Sequence, residues 1–278
     1  MLTIASDFGT PYPAAMKGVI HQRTDARTVD VGHDFPRQDV RSTAFWLREV
    51  LPYFPPAVHL VVVDPGVGTD RNAIVLRAGD HALVGPDNGV LLPVARRLAG
   101  GEDGIEAFVV DETRLEPPEP TGAGSATATA CSVSAEDGPA SNTFHGRDVF
   151  APAAADVHAV GIDRLGSLAF LESGEAAVDC DLPGATLEGD RATGEVLVVD
   201  DFGNAITNVV GDFLEDRERV VVNGESVPVG ETFAAVPVGK RLATVGSHGY
   251  VELDVNQGRG DEAFGLSVGD RVVLEAGE

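Results

Sequence analysis

The chain has 278 residues, enough for one large domain or two, each with a buried core. Hydrophobic residues make up 43% and the mean hydropathy is +0.03, which excludes wholesale disorder. Acidic residues number 44 against 20 lysines and arginines, a formal net charge of −24. Such a surface repels phosphate backbones, so no nucleic-acid partner is expected.

The acid is spread along the chain, and Lys17 and Lys240 are its only lysines. This balance fits a halophilic protein, whose self-repulsion concentrated cations would screen. Apolar runs such as 60–63 and 196–199 are strand-sized, far short of the ~20 residues of a membrane helix. No membrane partner is expected. The start, Met1-Leu2-Thr3-Ile4, lacks a basic flank or cleavage site, so the expectation is a cytoplasmic protein without a signal peptide. Cys131 and Cys180 make neither a disulfide framework nor a metal knuckle.

In chain order, 2–5 and 28–31 read as strands. Asp39 can cap a helix whose apolar residues Val40, Ala44, Leu47 and Leu51 recur at helical spacing, stopped by Pro55-Pro56. The run 59–63 is a fully apolar strand ending in Asp64-Pro65-Gly66; 72–77 and 82–84 are further strands, and 89–98 reads as a helix. Strands interleaved with helices predict an α/β N-terminal domain, 1–182, with a largely buried sheet. Residues 121–142, rich in Ala, Gly, Ser and Thr, read as a flexible surface insertion, and a helix follows over 149–160.

From about residue 189 the texture becomes β, with strands at 195–199, 219–222, 244–245, 250–255 and 271–274. Asn223-Gly224 and Val229-Gly230 supply turns. These predict a smaller all-β, barrel-like C-terminal domain over 190–278, with the boundary near Pro183-Gly184.

Four segments join functional groups to glycines at strand ends. Ser6-Asp7-Phe8-Gly9-Thr10 follows the first strand. Ligands of α/β sheets sit beyond the strands' carboxyl ends, where Asp7 could accept from a ribose diol or simply cap a turn. Asp64-Pro65-Gly66-Val67-Gly68-Thr69-Asp70-Arg71 lacks the Gly-Lys-Ser/Thr ending of a phosphate loop. It carries a carboxylate and a guanidinium on one tight loop, as a structural ion pair or a charged catalytic pair.

Thr143-Phe144-His145-Gly146-Arg147-Asp148 opens a helix. Gly146 is expected to leave space beside the imidazole, and histidine handles protons near neutral pH. Asp200-Asp201-Phe202-Gly203-Asn204 sits on the first hairpin of the β region. There an Asn beside a Phe could read and stack a heteroaromatic base, or merely turn the chain. Pro86-Asp87-Asn88-Gly89 reads as a turn, from which Asn88 could face the same cleft. No Gly-x-Ser-x-Gly elbow and no cluster with metal-ligand spacing is present.

Six motifs occur in one order: Ser-Asp-Phe-Gly, Met16-Lys17-Gly18-Val19-Ile20, Val-Asp-Pro-Gly-Val-Gly-Thr-x-Arg, Gly-Pro-Asp-Asn-Gly, Thr-Phe-His-Gly-Arg-Asp and Asp-x-Phe-Gly-Asn-x-x-Thr-Asn. Together the chain resembles the S-adenosyl-L-methionine (SAM) hydroxide adenosyltransferases, or SAM hydrolases, relatives of fluorinase and chlorinase. The match runs from Leu2 to about Asp270. The resemblance implies hydrolysis of SAM to adenosine and methionine, with SAM as substrate and no cofactor or metal. It also implies a homotrimer with active sites at subunit interfaces.

The family's catalytic triad maps onto Asp64, Arg71 and His145. The implied substrate-binding residues are Asp7, which matches the ribose-binding Asp, and Phe8, Phe144 and Gly146. To these the C-terminal domain adds Asp200, Phe202, Asn204 (the adenine reader), Ser247 in Gly246-Ser247-His248-Gly249 (the methionine side) and Val255. The halogenases carry a Tyr where Asp64 stands, and fluorinase has an insertion that is missing before Gly85-Pro86. The comparison thus favours water over halide. Relative to the family, the loop 9–17 is about two residues short, lacking an Asp before Pro-Tyr that bears on methionine recognition. A SAM- or adenosine-binding sensor without turnover and a SAM-dependent halogenase are the alternatives.

Overall fold

The computed structural model describes residues 1–118, 143–176, 178–180 and 182–277. The chain divides into two compact units, Met1–Asp181 and Leu182–Glu278. The insertion expected at 121–142, with Cys131, lies outside the described residues.

The strands of the first unit are β1 (Leu2–Ser6), β2 (Thr28–Gly32), β3 (Val58–Val62), β4 (Ala73–Ala78), β5 (His81–Pro86), β6 (Ile105–Val110) and β7 (Leu171–Gly174). Its helices are α1 (Tyr12–Arg23), α2 (Val40–Val50), α3 (Leu92–Ala99) and α4 (Ala151–Val160). The strands form one sheet in the order β2-β1-β3-β5-β4-β6-β7. The pairs β1–β2, β1–β3 and β3–β5 are parallel; β4, joined to β5 by a tight turn, starts an antiparallel extension through β6 and β7.

Side chains alternate between the two faces of the sheet. Leu2, Ile4, Val58, Leu60 and Val62 pack with Met16 and Ile20 of α1 and Ala153, Ala154 and Val157 of α4. Ala5, Val61, Ile74 and Leu83 face the other way, onto Ala44 and Leu47 of α2 and Val94 and Ala95 of α3. A sheet covered on both faces explains why every residue of β1 and β3 is buried, Thr3, Ser6 and His59 included.

Three expectations need correcting. The segment 9–17, expected as a loop, is helical from Tyr12 onward as part of α1, although Pro13 and Gly18 oppose helix propensity. The buried residues of α1, Pro13, Met16, Val19 and Ile20, recur at helical spacing. The helix expected at 89–98 begins only at Leu92, since Gly89 has φ +92° and belongs to the preceding turn. The helix expected from 149 opens earlier, as one π-helical turn over Gly146–Phe150 that runs into α4. Asp39 caps α2 as expected, accepting from Ser42 N at 2.9 Å.

The second unit contains β8 (Thr186–Glu188), β9 (Arg191–Val199), β10 (Ala205–Val210), β11 (Arg219–Val222), β12 (Glu225–Pro228), β13 (Arg241–Val245), β14 (Tyr250–Val255), the short helix α5 (Gly260–Phe264) and β15 (Arg271–Ala276). The strand order is β12-β11-β15-β9-β10-β14-β13, with β8 beside β9, and every ladder is antiparallel. A bridge between Val229 and Ala243 brings the ends of this order together, so the sheet is nearly closed and barrel-like. Val196, Ala205, Val220, Leu253, Val272 and Leu274 are among the residues of its core. Among the described residues no helix is long and apolar enough to cross a membrane.

Candidate active site

The first unit gathers polar groups where its parallel strands end, the edge at which α/β sheets bind ligands. After β3 the chain turns at 64–69, closed by Thr69 N and Thr69 Oγ1 donating to Gly66 O at 3.1 and 2.6 Å. Because Ala73 at the start of β4 lies opposite Pro86 at the end of β5, the loop delivers Arg71 to the same edge as Asp64. Arg71 Nε donates to Asp64 Oδ1 at 3.0 Å and Arg71 Nη2 to Asp64 Oδ2 at 2.6 Å. Their side chains are 9% and 4% exposed, so this is a buried, two-pronged ion pair.

His145 begins the π-helical turn and is itself buried. Arg71 Nη2 lies 2.8 Å from His145 Nδ1. A guanidinium only donates, so Nδ1 accepts, and the ring hydrogen of the neutral imidazole resides on Nε2. Phe150 lies under the guanidinium, 4.9 Å from ring centroid to Cζ. Arg71 Nη1 and His145 Nε2 are both buried without a hydrogen-bond partner among the described residues. Two buried donors beside a carboxylate form a polar cluster able to hold an oxygen atom.

Asp7, just after β1, is nearly buried and accepts from Gln38 N at 2.7 Å. Phe8 and Phe144 pack edge-on, ring centroids 5.9 Å apart. Tyr12, a residue the sequence reading passed over, completes the cluster at 5.2 Å from Phe144 and 6.0 Å from Phe8. Its signal was available, since it follows Phe8 by four residues next to a proline.

Gly146 does not leave the open space expected of it. A Cβ there would lie 3.0 Å from Met16 Sδ, 3.2 Å from Phe144 and 3.3 Å from Phe8. Its small size serves close packing of the π-helical turn against α1 and the aromatic cluster. Asn88 is likewise spent on backbone: its Nδ2 donates to Val63 O at 2.9 Å and its Oδ1 accepts from Val90 N at 3.2 Å.

The remaining residues singled out in the sequence lie in the second unit. Asp200 and Asn204 hold the turn between β9 and β10, with Asn204 Nδ2 donating to Asp200 Oδ2 at 2.9 Å. Phe202, Asn204 and Val255 line one cavity of about 610 Å³ together with Phe233. Ser247 is exposed in the turn between β13 and β14. Sequence reading missed two acids on β14. Burial, reinforced by Glu252 and Asp200, pushes Asp254 up to about 8. Burial, reinforced by Asp200, pushes Glu252 up to about 7. Both oxygens of fully buried Asp254 lack hydrogen-bond partners among the described residues. Among the described residues no cluster of His, Cys, Asp and Glu could hold a metal ion.

Comparison with known proteins places this geometry in context. The family model described as the SAM hydroxide adenosyltransferase N-terminal domain matches residues 2–166, and that of the C-terminal domain matches residues 194–273. A Thermus thermophilus protein named (R)-S-adenosyl-L-methionine hydrolase is 42% identical, over 97% of this chain and 97% of its own length. A Salinispora tropica protein of the same name is 39% identical, over 99% of this chain and 98% of its own. Among solved structures, an uncharacterized conserved protein from Thermotoga maritima superposes with a TM-score of 0.78 at 29% identity, covering 99% of each chain.

Proposed function

We propose that this chain, which belongs to the SAM hydroxide adenosyltransferase family, hydrolyses SAM to adenosine and L-methionine. The observation that carries the reading is the buried Asp64–Arg71–His145 cluster, in which Arg71 Nη1 and His145 Nε2 lack hydrogen-bond partners among the described residues, Glu112 Oε1 lying 3.9 Å from Nη1. Sulfonium sulfur departs as a neutral thioether, so the reaction asks for no acid at the leaving group. It asks for a water held in line with C5′ and opposite sulfur, an arrangement worth about 7–11 kcal/mol when near attack.

The cluster divides that task by hydrogen-bond chemistry. His145 Nε2–H and Arg71 Nη1–H donate to the water oxygen and stabilise the negative charge it develops. His145 Nδ1 is occupied by Arg71, so the imidazole orients the water and Asp64 accepts the proton. The water oxygen bonds to C5′ as the C5′–S bond breaks, its electron pair goes to sulfur, and the proton leaves through Asp64. A carboxylate this close to the donors repels a halide ion but welcomes a proton-bearing nucleophile, which favours hydrolysis over halogenation.

On the first unit, Asp7 accepts from the ribose diol and Phe8 and Phe144 pack against the substrate beside Gly146; on the second unit, Asn204, Phe202 and Val255 take the adenine. Asp200 supports Asn204, and Ser247 serves the methionine end. SAM is the substrate and no cofactor takes part. The family resemblance supports a homotrimer with shared active sites, tested by light scattering: three times 28.9 kDa is expected, and a monomer would contradict it. The net charge of −24 supports a cytoplasmic enzyme working in concentrated salt.

The test of function is mass analysis of SAM incubated with the purified protein in concentrated potassium chloride. Adenosine and methionine in equal amounts are expected. A chlorinated nucleoside would make the protein a halogenase, and tight nucleoside binding without conversion a sensor.

A further inference from the structure

Three polar side chains line up across neighbouring strands where β3 and β5 begin, at the edge of the first sheet opposite Asp64. Thr3 pairs with His59 in the β1–β3 ladder, and His81 lies two residues before Leu83, the partner of His59 on β5. Residues two apart on a strand share a face, so all three project from the side of the sheet covered by Leu47 and Leu51. Thr3 Oγ1 is 2.7 Å from His59 Nδ1, and His59 Nε2 is 2.9 Å from His81 Nδ1. Thr3 and His59 are buried, at 1% and 0% exposure, whereas His81 is half-buried. None of these groups takes part in the attack of water described above.

A neutral imidazole carries one N–H and one bare nitrogen, so the chain of contacts has two directions. Outward, Thr3 O–H donates to His59 Nδ1 and His59 Nε2–H donates to His81 Nδ1. Inward, His81 Nδ1–H donates to His59 Nε2 and His59 Nδ1–H donates to Thr3 Oγ1. The inward direction deprives the buried Thr3 hydroxyl hydrogen of its acceptor, a cost that favours the outward one while both rings are neutral. An imidazolium donates from both nitrogens. Once His81 is protonated, only the inward direction keeps both hydrogen bonds.

The charge belongs on His81. Burial, reinforced by His81, pushes His59 down to about 3. Burial also lowers His81, opposed by Asp80 in the turn between β4 and β5. The other neighbours of the pair, Thr3, Phe54, Ala78 and Leu83, are uncharged.

We propose that Thr3, His59 and His81 form a pH-sensitive switch, in which a proton bound at the His81 end reverses both hydrogen bonds and moves the ring hydrogen of His59 from Nε2 to Nδ1. One proton is taken up: His81 gains Nδ1–H, His59 exchanges Nε2–H for Nδ1–H, and the Thr3 hydroxyl turns from donor to acceptor. Both rings are held below the ordinary histidine value of about 6.5, so their contribution to stability is present above it and is lost as pH falls. Acid therefore loosens this edge of the sheet. The switch depends on none of the active-site assignments.

Side-chain ¹⁵N NMR of the full chain, followed from pH 8 to pH 4, tests the proposal. His59 is expected to carry Nε2–H at pH 8 and Nδ1–H once His81 has titrated, without itself becoming an imidazolium. A His59 tautomer that stays fixed while His81 titrates would overturn the switch. So would protonation of His59 before His81, or unfolding before His81 titrates. In His81→Phe, which keeps a ring but binds no proton, the His59 tautomer should be the same at every pH, and a change persisting there would count against the proposal equally. Thr3→Val removes the oxygen that accepts in the inward direction and keeps the shape. Its His81 titration should move down by about 0.5–1 pH unit, and an unchanged midpoint would contradict the role of Thr3 even if His81→Phe fails to fold.

Discussion

Arg71 Nη2 bridges two partners, lying 2.6 Å from Asp64 Oδ2 and 2.8 Å from His145 Nδ1. One guanidinium thus neutralises the carboxylate and sets the imidazole tautomer, which a single ammonium cannot do in the same geometry. Arg71→Lys is expected to lower kcat by roughly 10²–10³-fold, while calorimetry finds adenosine affinity within a few-fold of wild type. A kcat within tenfold of wild type would contradict the bridging role.

The tautomer assignment separates two roles for His145. If Nε2–H donates to water, His145→Gln, whose amide also donates, should recover part of the activity lost in His145→Ala. If the ring were the base, Gln would rescue nothing. Asp64→Asn, which removes the proposed proton acceptor at constant shape, should reduce kcat by roughly 10²–10⁴-fold. Single-turnover measurements on the three variants, read together, decide which group takes the proton.

Gly146 packs where a methyl group does not fit, with Met16 Sδ 3.0 Å from the position of an added Cβ. Gly146→Ala is expected to cost about 1–3 kcal/mol of stability. It should also slow turnover by displacing His145, the preceding residue. Thermal denaturation alongside kcat checks this, and an unchanged melting temperature would mean that the aromatic cluster yields freely.

Asp254 carries the clearest pH dependence. Its carboxyl is pushed up to about 8 by burial and by neighbouring Glu252 and Asp200, from an ordinary unfolded value near ~4. Between these values the folded state holds a proton that the unfolded state has released, so this residue's contribution to stability falls as pH rises. Asp254→Asn keeps the neutral shape at every pH. The variant should therefore melt higher than wild type at pH 8, with a smaller difference at pH 5. An equal difference at both would refute the assignment.

Much of this was legible in the chain because strong local signals coincide there with tertiary need. The apolar run of β3 ending at Asp64 marks a strand buried on both faces, and its carboxyl end is where a parallel sheet binds ligands. Asp39 announced α2 through its cap. Helix α1 was obscure because Pro13 and Gly18 oppose helix propensity, and packing of Met16 and Ile20 against the sheet overrides it. Gly146 was misread because sequence shows a missing side chain and not what fills its place. The buried carboxyl of Asp254 was invisible, since a charged residue alternating with Leu253 and Val255 resembles an ordinary solvent-facing strand position.

The most direct test of the central claim, attack by enzyme-held water at C5′, is turnover of SAM in ¹⁸O-enriched water with mass analysis of the nucleoside. The account predicts adenosine carrying one ¹⁸O at its 5′ oxygen, together with unlabelled methionine. Unlabelled adenosine would mean that the new C5′–O bond is not made to solvent water, contradicting the role assigned to Asp64, Arg71 and His145.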